Sequence, residues 1–273
     1  MEILLMNTGT LNWIKKSNQT KYTKNKLSFC GKYDNIITLN TKSDKKINIL
    51  MAWSGGKDCA LALYDIIKSG KFNLKGLFIT LSSKFKRVNL SGIREDIIDK
   101  QAEAIGLPIK KLYIDSDTYD GYEKTMDAFY SKSKKEGVEA IAYGDIFKGY
   151  KYLDQHADSL SLTRAKQLNK FNLKLLLPLL SESYDNVLRS INLGFRSILV
   201  CIDSRKLDKK FAGKELDKKL LEHFPKTVAA SGDNGEYHTF TFGGPIFKEN
   251  MNIKTKEPIK IGDNFCTELI EDK

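Results

Sequence analysis

Residues 47–63 read INILMAWSGGKDCALAL, and the fold of the chain is decided there. Ile47 to Trp53 is a short apolar run of strand formers, the pattern of a buried β-strand. Ser54, Gly55 and Gly56 break the run, and from Asp58 to Leu63 small and apolar residues return on one helical face. Strand, glycine turn and helix start together make an anion trap. Glycines let the backbone approach a phosphate with no Cβ in the way, and the N–H groups of the helix start point at the anion. Lys57 adds a positive charge, and the Ser54 hydroxyl is a donor for a phosphate oxygen. A Walker loop needs four residues between its first glycine and Gly-Lys, so this is a phosphate loop of another kind. The competing reading is a glycine turn that only joins a strand to a helix. The rest of the chain decides between the two.

Downstream, apolar runs alternate with amphipathic stretches. The loop helix should end near Gly70. Leu74 to Leu81 reads as a second strand, and a polar, basic loop covers Ser82 to Ser91. A helix follows from Gly92 to Ile105, with Ile93, Ile97, Ile98, Ala102 and Ile105 on one side. Gly106 then stands where a C-cap glycine belongs, and Pro108 prevents continuation. Ile109–Ile114 is a third strand, Tyr122 to Glu136 a helix, and Val138–Tyr143 a fourth strand ending in Gly144-Asp145. Strands alternating with helices of this length predict a parallel, doubly wound sheet. Ligands of such sheets sit beyond the carboxyl ends of the strands, where both Ser54–Cys59 and Gly144-Asp145 fall. Further on, Phe147 to Asn172 is polar and helical in character, and Leu173–Leu177 is a strand. Tyr184 to Leu193 reads as a helix, Arg196–Ile202 as a strand, and Leu207 to Phe224 as holding a helix with lysines outward.

The chain has 273 residues, 41% of them apolar, enough for a substantial core in one large domain or two modest ones. No run approaches the length of a membrane-spanning helix, and the short apolar patch from Met1 to Met6 is followed by no small-residue cleavage site. A cytoplasmic protein without membrane partners is expected. Cys30, Cys59, Cys201 and Cys266 are scattered with no CxxC, so neither a zinc knuckle nor a local dithiol pair is offered, and free thiols in a reducing compartment are expected. The net charge is +11, but residues 1–50 alone carry nine lysines against three acids. The basicity is concentrated in an N-terminal extension rather than spread over a nucleic-acid face, so a nucleic-acid partner is disfavoured. In residues 1–46, Phe29–Tyr33 and Ile36–Leu39 are the only candidates for an edge hairpin; otherwise weak order is expected.

A second informative stretch is Ser231 to Phe247, SGDNGEYHTFTFGGPIF. Its glycines permit a turn that would aim Glu236 and His238 to one side. A carboxylate and an imidazole together can position an amine, move a proton or hold a magnesium ion. The simpler alternative is a polar turn before a strand over Thr239–Phe242. His156 and His223 read as surface histidines, Cys201 as a buried strand residue and Trp53 as core beside the loop.

Taken together, the loop SGGKDCALAL, REDIIDKQAEAIGLP (Arg94–Pro108), EGVEAIAYGDI (Glu136–Ile146), GFRSILVCIDSRKLD (Gly194–Asp208) and GDNGEYHTFTFGGPIF (Gly232–Phe247) resemble, in order, the diphthine–ammonia ligase family of ATP pyrophosphatases. The resemblance spans roughly Ile47 to Lys248. It implies a Rossmann-like (HUP-type) α/β fold, a parallel sheet with helices on both faces, followed by a smaller C-terminal α/β substrate domain. The expected division is a basic extension over 1–46, an ATP-binding PP-loop domain over 47–150, a substrate domain over 151–250 and a tail over 251–273. The activity implied is a ligase reaction. ATP, accompanied by Mg2+, adenylates a carboxylate; for family members that complete diphthamide this is diphthine on elongation factor 2. Ammonia then displaces AMP, so AMP and pyrophosphate are released.

Carried over onto this chain, Ser54, Gly55, Gly56, Lys57, Asp58 and Cys59 would bind the pyrophosphate end of ATP, and Gly144 and Asp145 would face the nucleotide. Lys57, Asp58, Glu236 and His238 are the catalytic candidates; a metal-ligand set is not specified. Three departures stand out. The loop's usual final serine is Cys59, a weaker donor. The family's Pro-Leu-Trp is Pro178-Leu179-Leu180. The stretch from Asp145 to Pro178 is long and lysine-rich, and Arg164 within it is either the family's arginine or, the favoured reading, a solvated helix residue. Two other functions remain open at this point: a tRNA-modifying enzyme on the same ATP scaffold, which would suit the basic charge, and a nucleotide-binding protein without turnover.

Overall fold

Three segments, Ile47–Ala52, Phe72–Ser82 and Ile109–Ile114, pair side by side as parallel strands β2, β3 and β4. They belong to a computed structural model that describes residues 34–43, 45–115, 119–147, 159–179, 183–232 and 234–272. On the other side of β2 lie β5 (Ala140–Ala142), β6 (Lys174–Leu176) and, at the edge, β1 (Ile36–Ile37), again all parallel. Read from β2, the chain first winds outward through β3 to β4. It then returns to the far side of β2 for β5 and β6. The reversal lies between β2 and β5, the topological switch point at which doubly wound sheets bind ligands.

Helices close both faces. Alternate residues of β2 point to opposite sides. Ile49 and Met51 enter one core with Leu61 of α1 (Lys57–Ser69) and Ile97 and Ile98 of α2 (Glu95–Ile105). Leu50 enters the other, with Met126 and Tyr130 of α3 (Tyr119–Lys135) and Leu162 and Leu168 of α4 (Leu160–Asn169). The α4 N-terminus is capped by the Ser159 hydroxyl, which accepts from the Leu162 N–H, satisfying one of the donors a helix start leaves open. Among the described residues no helix is long and apolar enough to cross a membrane.

After α5 (Ser183–Asn192) a second sheet begins. It is antiparallel, in the order β10 (Ile259–Ile261), β11 (Asn264–Cys266), β7 (Arg196–Asp203) and β8 (Tyr237–Gly243). A two-stranded ribbon of β9 (Ile253–Thr255) and β12 (Leu269–Glu271) accompanies it.

Several expectations change. Ile36 and Ile37 do not form a hairpin. They make a parallel edge strand, and both side chains are buried; Phe29–Tyr33 lies outside the described residues. Residues 251–272 are not a tail, because β11 pairs with β7 within the second sheet. The helix expected over Leu207–Phe224 is only a 3-10 turn at Lys209–Phe211 and a short α6 at Lys218–Glu222. There Phe211, Leu216 and Val228 fold onto Leu199 and Ile202 rather than lining one helical stripe. Cys201 and Cys266 are not free thiols. They are register partners in the β7–β11 ladder and are joined by a disulfide. No sequence spacing announces such a pair, because it depends on a strand pairing across 65 positions.

Candidate functional site

The chain turns at Ser54–Gly56 because β2 must hand over to α1 within the four residues between Ala52 and Lys57. Gly55 takes φ +81°, the left-handed region in which a Cβ is unfavourable. A Cβ there would also press on Ile98 Cδ1 and Gln101 Oε1, each at 3.1 Å. Gly56 is the N-cap of α1 and offers no side chain to it, which leaves the helix start open to an external anion. The Ser54 hydroxyl sits over this opening. It accepts weakly from the Gly56 N–H at 3.3 Å and donates to Cys59 Sγ at 3.2 Å.

Gly144 follows β5 directly across the switch point. A Cβ at Gly144 would lie 2.8 Å from the Cys59 backbone nitrogen and 2.9 Å from its Sγ. The two predicted motifs therefore meet, and Gly144 is glycine because the strand end crosses the first turn of α1 in contact. Cys59 is held under this crossing, and burial pushes its thiol pKa up, so it is a protonated thiol near neutrality. Asp145 is ion-paired with Arg164, whose guanidinium also lies 3.8 Å from the centre of the Tyr143 ring. Burial opposes the Arg164 charge, but the Asp145 carboxylate outweighs it and the pKa stays above its ordinary value. Arg164 is thus a partner of the site, not a solvated helix residue. The Tyr143 hydroxyl is in turn bonded to that of Tyr130 at 2.6 Å.

The other wall comes from the second sheet. The Lys57 backbone N–H donates to Thr239 Oγ1 at 3.1 Å, and the Thr241 N–H donates to the Gly55 carbonyl at 2.8 Å. Strand β8 is therefore laid along the loop. The Lys57 side chain is only 6% exposed. Its ammonium meets Asp58 Oδ2 at 2.7 Å and lies 5.6 Å from the centre of the Tyr237 ring, within cation–π range. Burial first, and then the Lys57 charge, push the His238 pKa down to about 4, so its ring is neutral at pH 7.

Among the described residues, the hydrogen bonds of the Glu236 carboxylate do not include His238. The Glu236 carboxylate is 2% exposed and closes its own turn, accepting from the Asn234 N–H (2.9 Å), Asn234 Nδ2 (3.0 Å) and the Ala229 N–H (3.3 Å). Asp233 lies outside the described residues, as do His156 and Leu180. Among the described residues no three His, Cys, Asp or Glu side chains cluster to hold a metal ion.

Sequence reasoning missed Thr239, Thr241 and Gln101. Gln101 is fully buried in the apolar face of α2; it donates to the carbonyls of Gly55 (3.0 Å) and Thr241 (2.5 Å) and accepts from Trp53 Nε1 (2.8 Å). A lone amide inside the stripe Ile97, Ile98, Ala102, Ile105 was the available signal, since burying one without partners is costly.

Two family models match the chain. The diphthamide synthase N-terminal domain matches residues 47–164, and the diphthamide synthase C-terminal domain matches residues 183–267. Among similar proteins, the diphthine–ammonia ligase of Homo sapiens is 27% identical over 230 residues, covering 76% of this chain and 82% of that one. That of Bos taurus is 30% identical over 180 residues, covering 59% and 64%. That of Danio rerio is 25% identical over 236 residues, covering 77% and 88%.

Proposed function

The chain belongs to the diphthamide synthase family, and from that premise we propose that it is an ATP-dependent ligase that adenylates a carboxylate and transfers ammonia to it. The observation that carries the reading is the meeting of Ser54–Cys59, Gly144 and Thr239 around the start of α1 at the switch point of the sheet. Glycines at 55, 56 and 144 let the strand ends, α1 and β8 close up around this turn, and the donors there are backbone N–H groups and the Ser54 hydroxyl. That set suits a polyphosphate better than an apolar ligand. Lys57, buried beside the loop, supplies charge where pyrophosphate leaves. Magnesium would arrive with the nucleotide, held by its phosphates and by Asp58 or Asp145.

The acceptor carboxylate would lie beside the Ser54–Cys59 loop, with diphthine on elongation factor 2 as its source. In this reading residues 47–150 bind ATP, and the second sheet presents the substrate. His238 receives the proton set free when ammonia attacks the activated carboxyl. Its neutral ring is ready to accept, and a phosphate anion brought beside Lys57 would raise its basicity. Glu236 holds the turn that delivers His238 and is a positioning residue.

The test incubates the full chain with ATP, magnesium, ammonium and elongation factor 2 carrying diphthine. The expected products are the amide, AMP and pyrophosphate. ADP as the main nucleotide product, or no amide on that substrate, would overturn the reading.

A further inference from the structure

We infer that Gln101 is the positioning residue that turns the Gly56 N–H toward the phosphate chain by clamping the Gly55–Gly56 peptide from behind. The inference rests on the reading of residues 54–59 as a polyphosphate site.

The orientation of the Gln101 amide is fixed by its partners. Trp53 Nε1 is a donor only, so the atom facing it at 2.8 Å is the amide oxygen. The nitrogen then faces two carbonyls, Gly55 O and Thr241 O, and both of its hydrogens are used. Gly55 O receives a second hydrogen bond, from the Thr241 N–H. A carbonyl held by two donors from different elements fixes the plane of its peptide.

The described peptide bonds are trans, and in a trans peptide the N–H points opposite to the C=O. The Gly55 carbonyl is held inward against α2 and β8, so the Gly56 N–H is turned outward. Its only bond among the described residues is the weak one to Ser54 Oγ. A peptide between two glycines has little steric resistance to flipping. Flipped, it would present a carbonyl oxygen to an anion and repel it. An apolar residue in the stripe of α2 would pack as well as glutamine does, but only the amide selects one of these two orientations. The clamp also joins the halves of the chain, since Gln101 reaches Thr241 of the second sheet with the same nitrogen that holds the loop.

The experiment compares the full wild-type chain with Gln101→Met, which keeps length and packing and loses all three hydrogen bonds. Binding of inorganic pyrophosphate, ATP and adenosine is measured by calorimetry, and folding by the cooperativity of urea unfolding. Gln101→Met is expected to unfold cooperatively, to lose about tenfold or more in affinity for pyrophosphate and ATP, as for one hydrogen bond to a charged group, and to keep its affinity for adenosine. A general loosening of the structure would weaken all three ligands alike. Equal loss for adenosine, or a folded variant with wild-type pyrophosphate affinity, overturns the role of Gln101 and leaves the phosphate site standing. A wild-type chain that binds neither ATP nor pyrophosphate overturns both. Should Gln101→Met fail to fold, the Gly56 amide resonance of the wild-type chain decides: pyrophosphate must shift it strongly, and an unmoved signal refutes the clamp.

Discussion

The backbone N–H of Lys57, first residue of α1, donates to the hydroxyl of Thr239 on β8 at 3.1 Å, across 182 positions of sequence. The start of α1 is thus held by the second sheet, and one of its open N–H groups is already taken. The remaining donors define a narrower anion site than the loop alone would offer.

Thr239→Val removes that acceptor while suiting a strand. The Lys57 N–H then loses this buried bond, at a cost of about 1–3 kcal/mol. Urea unfolding should show a lower midpoint with an unchanged slope. Stability equal to the parent would mean that the bond is incidental.

Arg164→Met strips Asp145 of its cation. The side chains are 19% and 26% exposed, between the limits of surface and fully buried pairs. We expect a loss of about 1–2 kcal/mol, and a smaller one for Arg164→Met in an Asp145→Asn background. Arg164→Lys should recover only part, because it gives up the stacking over Tyr143. If the losses in a double-mutant cycle simply add, the pair carries no coupling.

His238 should titrate near 4 by NMR, below the ordinary histidine value of about 6.5. Its depressed pKa means that the unfolded chain takes up the proton first as pH falls. This contribution to stability is complete above about pH 6.5 and is lost toward pH 4. The melting temperature of the parent should therefore fall more steeply over that window than that of His238→Gln. Added ATP should raise the His238 pKa by placing anions beside it. A ring titrating near 6.5 in the free protein would contradict the burial described here.

Beginning the chain at Ser43 removes β1. Ile36 and Ile37 are 4% and 5% exposed, and burying each such side chain is worth about 1.5–3 kcal/mol. A shortened chain should unfold several kcal/mol more easily than one begun at Asp34. Equal midpoints for the two would show that the edge strand adds nothing.

The centre of the parallel sheet was legible in the sequence because β2 is buried on both faces. Ile47–Ala52 reads as an apolar run before turn residues, and helices follow with clear apolar stripes. The loop was legible too, since strand, glycines and helix start are local features. β1 was weakly written, because two residues carry no periodicity. The short, irregular packing of Lys209–Phe211 and Lys218–Glu222 follows tertiary contacts rather than helical spacing.

Residue types and short spacings by themselves determined the doubly wound sheet, the glycine turn between β2 and α1 and the family to which the motifs point. Only the tertiary structure decided how they are used. It set Gly144 against Cys59, paired Asp145 with Arg164, bonded Cys201 to Cys266 and laid Thr239 on Lys57. It also turned the Glu236 carboxylate into its own turn, although it stands two positions from His238. The physical reason is one of range. Helix and strand periodicity are written within a few neighbours, whereas a hydrogen bond or ion pair depends on which surfaces the completed chain brings within about 3 Å.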